Sequence, residues 1–209
     1  MIINLDNIKP SYMSESEVSG SDIYLKKNIN LESGKNYLFK ANSGSGKSSI
    51  LNFIYQSNEN FEGKIQYKNI RYKNKIDIRK KFISYVFQDF KLFGNLSVWE
   101  NIKIKNNLTV HKTDEEILYL LNKIGLSEKK DSLVNKLSIG QKQRTAIVRS
   151  LCQPFKFLLL DEPFSNLDED NIKIITKILN NELENQNAGL IVTTLNNKYL
   201  FNYNKIFKL

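Results

Sequence analysis

The chain has 209 residues, 41% of them hydrophobic, with 31 Lys and Arg against 22 Asp and Glu for a formal net charge of +9. That length suits one domain with a sizeable core, and no apolar run approaches the ~20 residues that would span a bilayer, which excludes a membrane-spanning protein. The basic balance points to something acidic (nucleotide, nucleic acid or an anionic membrane surface), but the Lys-Lys pairs at 26, 80 and 129 lie far apart and read first as solvated surface. The single cysteine, Cys152, excludes an intramolecular disulfide and follows Leu151 in an apolar helical pattern, as buried filler does. The N-terminus lacks a basic start followed by a long apolar stretch, so a cytoplasmic protein is expected, with any membrane association made through a partner.

Residues 2–8 and 24–31 are predicted strands, separated by a polar loop over 14–22 that contains Gly20 and has no periodicity. Gly34 marks the turn into a short apolar run, Tyr37-Leu38-Phe39. Next comes a small-residue loop, Ala41-Asn42-Ser43-Gly44-Ser45-Gly46-Lys47-Ser48-Ser49, and then a helix-like run, Ile50-Leu51-Asn52-Phe53-Ile54. A loop so poor in side chains lets successive N–H groups turn inward around an anion, and the following helix adds the positive end of its dipole. Lys47 supplies a mobile cation for outer phosphates, and the Ser48 hydroxyl is placed to hold magnesium. A flexible Ser/Gly turn with a solvated lysine is the plainer alternative, but it requires neither a strand before nor a helix after, and this sequence has both. Such loops normally open with glycine; the Ala41 methyl restricts φ to negative values.

Residues 63–67 alternate as a half-buried strand does, and 82–87 form a more apolar strand ending at Gln88. From Asp89 to about Leu137 the pattern is helical: Thr113 and Glu116 make a capping box, Ile117, Leu120, Leu121 and Ile124 share one face, and Gly125 stops the helix. A helix over about 139–152, an apolar strand at 157–160, an amphipathic helix carrying Ile172, Ile175, Leu179 and Leu183, and a strand at 190–193 follow. Apolar strands alternating with helices argue for a parallel sheet covered on both faces. The strand at 157–160 runs directly into Asp161 and Glu162, where an aspartate can hold magnesium through water and the next acid can polarise an attacking water; the alternative is a pair of surface acids before Pro163.

Taken in order, these features resemble the nucleotide-binding subunit of an ATP-binding cassette (ABC) transporter over nearly the whole length. Residues 41–49 resemble the Walker A loop, Gln88 the Q-loop, and Leu137-Ser138-Ile139-Gly140-Gln141 the LSGGQ signature. Leu160-Asp161-Glu162-Pro163 resembles Walker B with its catalytic glutamate, and Ser165-Asn166-Leu167-Asp168 the D-loop, with Gln143 and Arg144 on the intervening helix as in that family. The resemblance implies an α/β P-loop NTPase: an ABC-type core over 1–88 and 138–209, including an antiparallel β subdomain, with a helical lobe at about 89–137, all in a single ATP-binding domain over 1–209. It implies ATP and Mg2+ as cofactors, with Ser48, Gln88 and Asp161 as metal-holding residues and Glu162 as the catalytic glutamate that polarises the attacking water. Ser138, Gly140 and Gln141 would close on the γ-phosphate held by a second subunit, although Ser138 with Gln141 is in itself a capping box. Asp168 would meet that subunit near its Walker A, and is equally an N-cap for the next helix. Tyr12 is the candidate to stack on adenine, with Tyr24 as the fallback.

Two further departures stand out: Ile139 replaces a signature glycine, and Val192-Thr193-Thr194-Leu195 carries Thr194 where the family places its switch histidine. A threonine hydroxyl is shorter than imidazole and does not titrate near neutral pH, so ATP hydrolysis that powers a transporter is expected to be present but slow. The alternative, with Ala41, Ile139 and Thr194 all departing from the pattern, is an ATP-dependent binding or regulatory module with little hydrolysis, or the degenerate half of a heterodimer. His111, the only histidine, reads as an exposed bystander. Residues 79–93 with Leu96-Ser97-Val98-Trp99-Glu100-Asn101-Ile102 resemble the lipoprotein-release, macrolide-export and cell-division group, whose subunits pair with a separate permease. There Phe90, Leu92, Phe93, Leu96 and Trp99 would line the permease groove or the lobe core. The expected partners are therefore a second ABC subunit, the same chain or a different one, and an integral membrane permease, placing the protein at the inner face of the cell membrane. No direct nucleic-acid binding is expected, since this length has no room for the insertions that DNA-repair relatives carry. The chain stops at Leu209 soon after the last predicted strand, so substrate choice is expected to lie in another protein.

Overall fold

The computed structural model describes residues 1–40, 44–194 and 201–209, so Ala41, Asn42, Ser43 and Leu195 lie outside the described residues. In chain order, β1 (Ile2–Pro10) is followed by a one-turn helix α1 (Glu15–Val18), β2 (Ile29–Glu32), β3 (Asn36–Lys40), α2 (Lys47–Ile54), β4 (Phe61–Lys68), α3 (Lys75–Lys81) and β5 (Ile83–Val86). Next come α4 (Val98–Asn106), α5 (Asp114–Lys123) and 3-10 turns at Ser127–Lys129 and Val134–Lys136. The chain then runs through α6 (Ile139–Ser150), β6 (Phe157–Asp161), α7 (Glu169–Gln186), β7 (Gly189–Thr194) and β8 (Lys205–Lys208).

Two sheets result: a three-stranded antiparallel one in the order β2-β1-β4, and a five-stranded parallel one in the order β5-β6-β7-β3-β8. Side chains alternate across a strand, so β6 sends Phe157 and Leu159 into one apolar cluster and Leu158 and Leu160 into another. The first cluster joins α2 and α3 to the antiparallel sheet; the second is closed by α4, α5, α6 and α7. That is why 157–160 carries no polar residue: both faces are covered. The helical stretch between β5 and α6 therefore shares its core with one face of the parallel sheet.

Several boundaries differ from the sequence expectation. The strand predicted over 24–31 begins only at Ile29, because Leu25 (φ 57°) and Asn28 (φ 55°) hold left-handed backbone that a strand cannot contain. The loop predicted over 14–22 contains α1, nucleated by a Ser14–Glu17 capping box. Neither α3, capped by Asn74, nor β8 is foreseen; four residues are too few to show a period, and β8 exists because β3 pairs with it. The helix predicted to 152 ends at Ser150, and Cys152 is fully buried, its thiol pushed up to about 12 by burial. The Thr113–Glu116 capping box is present. Among the described residues no helix is long and apolar enough to cross a membrane.

His111 is half-buried rather than exposed, and its pKa is lowered, first by burial and then by the Lys112 charge. Next to it, the Lys112 ammonium donates to Glu182 of α7 at 2.6 Å, with side-chain exposures of only 8% and 14%. The Asn106 amide fixes the Lys112 backbone through two hydrogen bonds of 2.8 and 3.0 Å. Removing one member of so dry a pair leaves the other charge unmatched. Glu182→Gln is accordingly expected to cost about 3 kcal/mol of unfolding free energy in urea titration, and a Lys112→Met/Glu182→Leu double variant to recover most of it.

Candidate active site

The loop after β3 ends in two left-handed glycines, Gly44 (φ 81°) and Gly46 (φ 84°), conformations that an L side chain rarely adopts. Gly46 is also closed sterically, since a Cβ there would stand 2.6 Å from the Tyr24 hydroxyl. Gly46 is the N-cap of α2 and has no side chain to cap that helix, so the positive end of the helix dipole faces the loop, a setting that favours an anion. Tyr24 is 1% exposed and donates to the Gly46 carbonyl at 2.9 Å. Burial raises its pKa, keeping the phenol a donor. It braces the loop from beneath and has no free ring face, which removes it as the fallback for adenine stacking. Tyr12 is 62% exposed and its hydroxyl bonds Ser49 Oγ at 2.5 Å, so its ring stands at the rim of the loop.

Parallel register brings the remaining groups to the same edge. Lys40 of β3 lies beside Thr194 of β7, and Thr193 beside Asp161 of β6, so these strands end together where the loop begins. Lys47 Nζ stands 3.5 Å from Glu162 Oε1, with both side chains largely buried. Ser48 Oγ donates to Gln88 Oε1 at 3.4 Å. Asp161 is 3% exposed, and each of its oxygens receives a hydroxyl: Thr193 Oγ1 at 2.6 Å and Tyr85 Oη at 3.3 Å. The Tyr85 pKa is raised by burial first and by Asp161 next, so it too remains a donor. Ser48, Gln88, Asp89 and Asp161 line one cleft of about 500 Å³. This donor set is all oxygen, as a hard divalent cation requires.

Glu162 adopts left-handed backbone (φ 48°), a strained choice for a residue with a Cβ. Its N–H donates to the Thr193 carbonyl at 3.1 Å, and its carbonyl accepts from Gln143 Nε2 at 3.3 Å. Gln143 Oε1 in turn accepts from Asn166 N–H at 3.3 Å, tying the end of β6 to the turn before α7. In the sequence Gln143 stands out only as part of a pattern, and its one signal is a long polar side chain on the inner face of an amphipathic helix, where it is 1% exposed.

At the start of α6, Ser138 and Gln141 form the expected capping box, with reciprocal bonds of 3.2 and 3.0 Å. The two signature positions differ in tolerance. Ile139 is 58% exposed and its side chain points away from the fold, whereas a Cβ on Gly140 would meet the Asn166 carbonyl at 2.9 Å. Substitution is therefore accommodated at the first glycine position and not at the second. Asp168 caps α7 by accepting from Asn171 N–H (2.8 Å) and Asn171 Nδ2 (2.7 Å), which hold its carboxyl below the usual range. Lys47, Ser48, Gln88, Asp161 and Glu162 thus meet in one place. Ser138, Gly140 and Gln141 sit at the N-terminus of α6, and Ala41, Asn42 and Ser43 are outside the described residues. Beyond Gln88, Phe90, Leu92 and Trp99 pack on the second cluster, Leu96 is half-buried and Phe93 is exposed.

Comparison with known proteins agrees with this geometry. The family model described as "ABC transporter" matches residues 25–165. A probable ABC transporter ATP-binding protein, PEB1C of Campylobacter jejuni, is 31% identical over 179 residues, covering 82% of this chain and 74% of that protein. The lipoprotein-releasing system ATP-binding protein LolD of Rickettsia bellii is 26% identical, covering 100% and 95%. A solved dimeric, post-hydrolysis structure of the ATP-binding cassette MJ0796 with ADP and Pi superposes with a TM-score of 0.75 at 30% identity, covering 93% and 88%. The chain belongs to the ABC transporter family, as an ATP-binding subunit with ATPase activity.

Proposed function

We propose that this chain is the Mg-ATP-driven motor of a transporter, acting as a dimer at the inner face of the cell membrane beneath a separate integral permease. The observation that carries this reading is the convergence of Lys47, Ser48, Gln88, Asp161 and Glu162 at the carboxyl edge of the parallel sheet, beside the uncapped N-terminus of α2. Residues 1–209 act as one ATP-binding unit, with 89–137 as its helical lobe. Lys47 and the first N–H groups of α2 bind the phosphates, and Tyr12 lies against the adenine. Ser48, Gln88 and Asp161 would hold Mg2+, which neutralises charge on the phosphate oxygens. Glu162 accepts a proton from the attacking water, Gln88 orients that water, and Thr194 offers one hydroxyl bond to the reacting phosphate. Ser138, Gly140 and Gln141 of one copy close on the nucleotide of another, and Asp168 sits at that contact.

With Thr194 in place of an imidazole, turnover is slow. A heterodimeric arrangement is favoured by one further observation: Ile139 presents a bulky exposed side chain where the signature meets the partner's nucleotide. Steady-state phosphate release over a range of protein concentrations separates the two arrangements. Turnover that rises faster than linearly with concentration establishes the homodimer. ATP binding with turnover that stays strictly linear, or appears only when a second ABC subunit is added, overturns it.

A further inference from the structure

We infer that Arg149, in the last turn of α6, is a positioning residue that fixes the loop carrying Gln88. Its guanidinium donates one N–H to the Phe90 carbonyl at 2.6 Å and another to the Lys91 carbonyl at 2.7 Å. Those two consecutive residues are both left-handed, with φ of 63° and 49°. Two neighbouring side-chain-bearing residues do not remain in that region unless the surroundings over-determine them, and the charged fork supplies that constraint. The turn is further tightened by Phe90 N–H to the Phe87 carbonyl (2.9 Å) and Lys91 N–H to the Asp89 carbonyl (2.7 Å). Among the described residues no carboxylate pairs with Arg149; burial lowers its pKa to about 10, which still leaves it charged at neutral pH. Its hydrogen-bond partners are the two carbonyls.

The base from which Arg149 reaches is itself locked to the strand that delivers Gln88. Ser84 Oγ of β5 donates to the Ser150 carbonyl at 2.6 Å, and Gln153 Nε2 donates to the carbonyls of Ile83 (3.0 Å) and Arg79 (3.1 Å). The segment from β5 to Lys91 is thus held at one end by the sheet and at the other by the guanidinium. Gln88 lies between these anchors, its amide oxygen accepting from Ser48. The inference rests on the proposed role of Gln88, since Arg149 touches neither nucleotide nor reacting atoms and acts only through that loop.

A double-mutant cycle on the full chain tests it. Arg149→Met is expected to lower kcat by about tenfold to a hundredfold, the scale on which a misplaced group costs rate, with ATP affinity by fluorescent-nucleotide titration unchanged. Gln88→Ala is expected to lower kcat on the same scale, and the double variant to be no slower than the slower single one. Arg149→Lys keeps the charge but loses the fork, covers the case in which the methionine variant does not fold, and is expected to fall between wild type and Gln88→Ala. Multiplicative losses in the double variant, or wild-type kcat in either Arg149 variant while Gln88→Ala is impaired, would overturn the positioning role. Wild-type kcat in Gln88→Ala would instead sink the proposed role of Gln88, and the inference with it. Trp99, the only tryptophan, packs on the same cluster as Phe90 and Leu92 and gives an independent readout. Its ATP-induced fluorescence change should be diminished in Arg149→Met, and an unaltered change counts against the inference.

Discussion

Glu162→Gln is expected to lower ATP turnover by about 10²–10⁴-fold, the usual contribution of a positioned proton acceptor, while ATP binding is retained. The amide has nearly the shape of the carboxylate, so the strained backbone at Glu162, bonded to Thr193 and Gln143, should persist. What is lost is the basic oxygen. Removing a negative charge 3.5 Å from Lys47 also removes repulsion toward an anionic phosphate. The sign is therefore clear: affinity for ATP holds or rises, and an ATP-bound dimer accumulates in size-exclusion chromatography. Undiminished turnover in this variant would show that Glu162 is not the proton acceptor.

The second large effect is expected at Lys47. Truncation to alanine removes a largely buried ammonium from the head of α2, where the proposed function has it make charge-assisted bonds to phosphate in a dry setting. Losing one such contact is worth about 3 kcal/mol, or roughly a hundredfold in ATP dissociation constant. The deletion also strands Glu162, whose side chain is only 14% exposed. Lys47→Ala should thus lose both nucleotide affinity and the increase in thermal unfolding temperature that ATP confers on the wild type. Retained affinity for fluorescent ATP would count against the phosphate-binding role of this loop. The paired variants differ in kind, since Glu162→Gln spares binding and Lys47→Ala removes it.

What the chain encodes locally could be read from it directly. Helix starts at Thr113 and Ser138 were legible because a cap and its N3 Glu or Gln lie three residues apart, and the start at Asp168 because an aspartate is a good N-cap; the structure shows all three caps. The strand-loop-helix around Lys47 and the apolar strand ending at Asp161 and Glu162 were legible for the same reason, as contiguous patterns with one physical purpose. Where the local pattern is weak, tertiary structure overrides it: Leu25 and Asn28 break the expected strand by backbone handedness, and β8 needs β3 beside it to exist.

By itself, the sequence determined the order of the main strands and of α5, α6 and α7, the starts of those three helices, and the residue types able to bind phosphate, hold a hard cation and accept a proton. Only the tertiary structure decided which of these meet. Parallel register placed Thr193 against Asp161, and packing buried Tyr24 under Gly46, excluding it from the nucleotide. Ile139 could vary because it faces outward, whereas Gly140 could not because the Asn166 carbonyl lies against it. The Arg149 clamp spans 58 and 59 residues and the Lys112–Glu182 pair 70. Contacts across such separations leave no period or cap in the chain, because their geometry is set by sheet order and packing rather than by neighbouring residues.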